Sequence, residues 1–84
     1  MTYNVNLSRR AERDLHQIYG RAYLRLQAAI KALASNPRPH GCRKLPRSGE
    51  WRIRVGVYRV LYQIDDAHRE VIITRVGHRR EVYR

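Results

Sequence analysis

Trp51-Arg-Ile-Arg-Val-Gly-Val-Tyr-Arg-Val-Leu-Tyr62 decides how this chain folds, because its arginines alternate with apolar or aromatic residues at the two-residue period of a β-strand. Trp51, Ile53 and Val55 fall on one face, and Arg52 and Arg54 on the other. Gly56 permits a tight hairpin between two such strands, the first over residues 50–55 and the second over 57–64. The same mixture returns at Val76-Gly-His-Arg-Arg-Glu-Val-Tyr-Arg84. A cationic row on one sheet face, with the other face packed, suits polyanions.

Outward from this hairpin, Tyr3, Val5 and Leu7 alternate with polar residues and predict a short first strand over 2–7. Ser8 is placed to cap a helix whose apolar residues are Ala11, Leu15, Ile18 and Ala22, continuing through Leu26, Ala29, Ile30 and Leu33. Gly20 interrupts this pattern; a glycine inside a helix costs about 1 kcal/mol, so two antiparallel helices that break near it are expected. Asn36-Pro37-Arg38-Pro39 ends the second helix. A loop over 36–43, a short strand at Arg43-Lys44-Leu45 and a turn at Ser48-Gly49 lead into the hairpin. Asp65-Asp66-Ala67-His68-Arg69 reverses the chain into a last strand over 70–76.

The expected fold class is therefore α+β: a short N-terminal strand, a two-helix hairpin, then an antiparallel β-meander of three to four strands. Val60-Leu61-Tyr62 and Val71-Ile72-Ile73 are apolar at consecutive positions, so these strands should be covered in part on both faces. With the helices on the Trp51 side, Arg52 and Arg54 are expected to project from the open face.

At 84 residues, 43% of them hydrophobic, the chain has material for a single domain over 1–84 with one modest core. Eighteen Lys and Arg against seven Asp and Glu give a net charge of +11. All but two of the bases, Lys31 and Lys44, are arginine, the better residue for bidentate phosphate contacts and for stacking on bases. Cys42 is the only cysteine, which excludes an intrachain disulfide and suits a reducing compartment. No apolar run resembles a signal peptide or approaches the roughly 20 residues needed to span a bilayer, so a cytoplasmic protein without a membrane partner is expected.

His16, His40, His68, His78 and Cys42 show none of the HxxxH, HExxH or CxxC spacings of metal sites, and no metal or other cofactor is expected. Asp65 and Asp66 sit where aspartate bonds a turn backbone. Neither a Gly-rich phosphate loop nor a serine elbow occurs. Arginine and tyrosine remain, and they suit RNA cleavage, in which the substrate supplies its own 2′-hydroxyl as nucleophile. The protein then has to hold the phosphate and stabilise the charge that develops on it. Arginine cannot move the protons, because its pKa exceeds about 12.

Lys44-Leu45, Trp51-Arg-Ile-Arg-Val55, Gly56-Val-Tyr-Arg-Val-Leu-Tyr62 and Val76-Gly-His-Arg-Arg-Glu-Val-Tyr83 together resemble the RelE branch of the RelE/ParE toxin superfamily, and the β-αα-βββ order fits it. The resemblance implies the toxin of a type II toxin-antitoxin pair. Its activity would be that of a ribosome-dependent endoribonuclease that cuts mRNA in the A site, beside 16S ribosomal RNA, restrained by a RelB-like antitoxin. Arg52 and Arg54 match two positions that are lysines in RelE itself and that hold and polarise the substrate near the 2′-oxygen. Arg59 matches an arginine that stabilises the scissile phosphate, and Arg79 one near the leaving group. Tyr83 matches a tyrosine that orients the nucleotide or assists proton transfer.

The expected catalytic set is thus Arg54, Arg59, Arg79 and Tyr83, with Lys44, Arg52, His78 and Arg80 binding the substrate. Arginine in place of both lysines removes a possible base, which makes His78, titrating near neutrality when unperturbed, a candidate acid or base. Two alternatives stay open: a ParE-like toxin that inhibits gyrase, and a non-catalytic protein that binds ribosomal RNA. Arg9, Arg10, Arg13, Arg21 and Arg25 are read as solvated helix faces available for further RNA contacts.

Overall fold

Alternation in the Trp51–Tyr62 stretch becomes a hairpin in the computed structural model, which describes residues 2–80 and 82. The elements are β1 (Asn4–Leu7), α1 (Arg9–His16), α2 (Gly20–Ala32), β2 (Arg43–Lys44), β3 (Trp51–Val55), β4 (Tyr58–Asp65) and β5 (Glu70–His78). One five-stranded sheet has the order β1-β5-β4-β3-β2, antiparallel except that β1 runs parallel to β5. The expected α+β order holds, with four strands in the meander. The structure adds the parallel docking of β1 and carries the last strand two residues further, to His78.

Ser8 starts α1 as anticipated: its hydroxyl accepts from the Ala11 backbone N–H at 3.1 Å, and it donates to the Thr74 carbonyl at 3.2 Å. One side chain therefore caps the helix and ties it to β5. Gly20 takes φ +67° where the chain turns from α1 into α2, a conformation that a side chain would strain. Both helices lie on one sheet face. Ala11, Leu15, Leu26 and Ile30 meet Ile53, Val60, Tyr62, Val71, Ile73 and Val76, with Trp51 and Val55 packed at the margin. Each large aliphatic side chain buried there contributes about 1.5–3 kcal/mol.

Val71, Ile73 and Val76 all enter this core although strict alternation would separate Val76 from the other two. The ladder explains it: Leu61 opposes Arg75 and Tyr62 opposes Ile73, so Thr74 is an extra residue in a β-bulge. Beyond the bulge the faces are reassigned. Val76 turns to the helices and Gly77 to the other side of the sheet, while Arg75, of the same parity as Gly77, still engages Asp14 of α1 through its ε-nitrogen.

The loop after α2 is fastened to the β4–β5 turn. The Tyr62 hydroxyl donates to the Pro37 carbonyl at 2.7 Å, and burial raises its pKa. Arg38 forms a two-pronged pair with Asp66, at 3.2 and 2.8 Å, and its guanidinium lies 5.0 Å from the centroid of the Trp51 ring. Tyr3 donates to the same carboxylate at 2.6 Å. In the turn itself, Asp65 accepts from the His68 backbone at 3.1 Å, the local bonding expected of aspartate there.

The hydrogen bonds from Arg38 and then Tyr3 hold the Asp66 carboxyl down to about 2. Because the folded value lies below the ordinary carboxylate value, Asp66 stabilises the fold above about pH 4, and that stabilisation disappears as pH falls through about 2. Replacement Asp66→Asn should flatten the loss of stability between those limits, measured by urea unfolding at a series of acid pH values. An unchanged slope would show that the exposed pair is screened to no effect.

Candidate functional site

The β3–β4 register sets the centre of the cationic face. Arg54 stands directly opposite Arg59, and Arg59 in turn opposite Gly77 of β5. Like charges directly opposed across a ladder are destabilising, so this pairing is not explained by sheet stability. Arg59 is half-buried, with one guanidinium nitrogen 3.5 Å from the Tyr58 carbonyl; Arg54 is exposed. The Arg79 N–H donates to the Val57 carbonyl at 2.9 Å, prolonging the β4–β5 ladder. Arg54 and Arg59 are thus brought together on one face, and Arg79 is exposed in the turn just past the end of β5, whereas Tyr83 lies outside the described residues.

That face is not fully open. Val82 is 2% exposed and Leu61 5%, and with Leu45, Arg47 and Arg75 they line a groove of about 480 Å³. Val82 packs over the sheet beside Gly77, where a methyl group added to the glycine would meet the Val82 side chain at an ordinary contact distance of 3.6 Å. Arg52 is the main correction to the expected site. It has the predicted parity, between Arg43 and Leu61 in the ladders, but only 5% of it is exposed. Arg52 therefore does not project into solvent, and it lines a separate hollow with Leu33, His40, Gly41 and Arg43.

Two further candidates sit apart from the row. Lys44 opposes Trp51, and its ammonium lies 5.9 Å from the Trp51 ring, on the side where Arg38 also stacks. His78 opposes Tyr58, and the two rings meet edge to face at 6.3 Å. Both share the helix-side parity of Val60 and Val76. Arg80 is exposed just past the end of β5, its backbone N–H 3.4 Å from the His78 Nδ1.

Sequence reasoning missed Asp14. Its carboxylate receives the Val76 N–H at 2.9 Å, Arg75 Nε at 3.3 Å and Arg10 Nε at 3.4 Å. Since β1 pairing ends at Leu7 and Ile73, Asp14 satisfies a backbone donor on the margin of β5 beyond β1, and it draws Arg75 towards α1. An isolated acid amid helix arginines is the signal, but only the structure supplies its partners.

Residues 5–83 match the family model described as the ParE toxin of the type II toxin-antitoxin system, parDE. This chain belongs to the RelE/ParE superfamily of toxins. It is 39% identical to Toxin RelG of Mycobacterium tuberculosis over 87 residues, covering 100% of this chain and 99% of that protein. Among solved structures it is similar to the M. tuberculosis RelBE2 toxin-antitoxin complex, with a TM-score of 0.83, 34% identity, and coverage of 93% of this chain and 99% of that one. It is also similar to the archaeal RelE–RelB complex of Pyrococcus horikoshii, with a TM-score of 0.84, 25% identity, and coverage of 98% and 100%. The chain is accordingly the toxin of a type II toxin-antitoxin system with a RelE-like fold.

Within this RelE/ParE toxin, burial separates the two arginines of β3. Arg52→Ala should lower stability by about 1–3 kcal/mol, since it empties a covered position, while Arg54→Ala should stay within about 0.5 kcal/mol. Equal effects in chemical denaturation would contradict the burial of Arg52.

Proposed function

We propose that this toxin is a ribosome-dependent endoribonuclease that cleaves mRNA in the A site. The observation that carries the reading is the opposition of Arg54 and Arg59, with Arg79 exposed just past the end of the neighbouring strand. A scissile phosphate held between guanidinium groups would gain stabilisation as its charge grows in the pentavalent transition state. In the step proposed, the 2′-hydroxyl gives up its proton to solvent as its oxygen bonds to phosphorus, and the bond to the 5′-oxygen breaks with that oxygen taking a proton from solvent, giving a 2′,3′-cyclic phosphate and a 5′-hydroxyl. The arginines stay protonated throughout. Their work is charge stabilisation and alignment, and Tyr83 orients the nucleotide. Burial removes Arg52 from direct contact and assigns it to the local field.

A RelB-like antitoxin is the proposed restraint, supported by the complexes of M. tuberculosis and P. horikoshii named above. A chain of +11 favours an acidic or amphipathic segment of that partner. The match to the ParE model supports a second reading, inhibition of gyrase without RNA cleavage.

Primer extension on mRNA translated in an extract separates the two. The nuclease reading expects cuts phased to A-site codons, with 5′-hydroxyl ends, and a loss of about 100-fold or more in cleavage rate for Arg59→Ala or Arg54→Ala. Intact mRNA together with gyrase-linked DNA breaks would establish the ParE reading instead.

A further inference from the structure

A second basic hollow lies on the other side of the sheet. Beyond the end of β1, α1 runs beside β5, and between them opens a cavity of about 470 Å³ lined by Arg10, Arg13, Gln17, Tyr58 and His78, with Asp14 at its floor. The volume falls in the range of small-ligand sites and suits a single nucleotide. Arg10, Arg13 and Gln17 follow one another at helical spacings of three and four, so α1 turns one polar face to the hollow. Arg13 is exposed, and more than half of the Arg10 side chain stays accessible while its ε-nitrogen engages Asp14. Asp14, the one acid among the described residues that line the cavity, already holds Arg10, Arg75 and the Val76 N–H, so it leaves the two helix arginines with a net positive charge.

Opposite these arginines stand Tyr58 and His78, whose rings are inclined at 73°. In an edge-to-face pair, the ring that offers its edge keeps both of its own faces clear of its partner. Guanidinium groups on one wall and ring surface on the other match the two halves of a nucleotide, a phosphate and a flat base. An acidic peptide would use the arginines but has no group that needs the rings.

We propose that this hollow is a second RNA subsite, which takes one nucleotide with its phosphate on Arg10 and Arg13 and its base against the Tyr58–His78 pair. The identity of the polyanion rests on the endoribonuclease reading. The hollow lies across the sheet from Arg54 and Arg59, and the strand that separates the two sites ends at His78, beside Arg79 and Arg80. A single strand held at the arginine row reaches the hollow by passing round that end of β5. The site therefore grips a nucleotide flanking the one that is cut, and it gives His78 a binding role on a face where it does not meet the scissile phosphate.

The test uses the full chain and a short 2′-O-methyl RNA carrying 4-thiouridine, which binds but cannot be cleaved. Irradiation followed by residue-level mass spectrometry should place crosslinks on Tyr58 or His78 in the unaltered protein. Arg13→Gln should weaken binding of the same RNA about fivefold at unchanged melting temperature, the effect of one charge-assisted contact discounted for its exposure. Crosslinks confined to the Arg54 and Arg59 side of the sheet would overturn the proposal, as would an Arg13→Gln protein that binds RNA undiminished. An acidic peptide that protects Arg13 while the RNA stays bound at the arginine row undiminished would assign the hollow to a protein partner and overturn it as well. A-site cleavage without crosslinks in the hollow overturns this subsite alone, whereas crosslinks there without mRNA cleavage support it while removing the nuclease reading.

Discussion

The structure is organised around a repulsion. The β3–β4 ladder holds Arg54 and Arg59 at directly opposed positions, an arrangement that costs free energy in a chain already at +11. It persists because the other face of the same two strands is anchored in the core by Ile53, Val60 and Tyr62. A shift of the register by one residue would relieve the arginines but turn those apolar side chains away from the helices. Hydrophobic burial on one side of the hairpin thus fixes an unfavourable charge arrangement on the other, which is the pattern expected where function and stability compete.

The bulge at Thr74 extends this logic to β5. Without an extra residue there, Arg75 and Gly77 would share a face with Val71 and Ile73 and would point at the helices. The bulge lets the strand bury Val76 and still deliver Gly77 to the arginine side, where Val82 lies beside it. Thr74 is held in place by its hydroxyl, which lies against the Glu50 carboxylate and 3.1 Å from the Leu61 carbonyl. Asp14 then closes the strand's unpaired margin. Three local devices therefore shape one strand that borders both cationic surfaces.

Much of the fold is legible in the sequence, since the interactions that specify it are local. Ser8 and Gly20 mark the helix boundaries, the alternation of Trp51, Ile53 and Val55 fixes the buried face of β3, and consecutive apolar residues at 60–62 signal cover on both sides of β4. What escapes is whatever depends on long-range pairing. The parity of Arg52 is readable, but its burial is not, because the hollow it lines is completed by Leu33, His40 and Gly41 from a distant part of the chain. The positions of Lys44 and His78 on the helix side follow from their registers with Trp51 and Tyr58, which no local pattern sets. For the site, the ladder register sets Arg54 opposite Arg59, which parity alone does not fix, while the hollow containing Tyr58 and Arg13 appears only once α1 is laid beside β5.

The opposed arginines have a consequence for how the molecule responds to ionic strength. Added salt screens Arg54 from Arg59 and the remaining positive charges from one another, which stabilises the compact chain. The same ions compete for the phosphates of any bound nucleic acid and remove the entropy gained by releasing counterions. Folding and polyanion binding therefore respond to salt in opposite directions. At low ionic strength the free chain is at its least stable and its attraction for a polyanion is greatest, so an anionic partner, whatever its identity, acts in part as the counterion that the fold lacks.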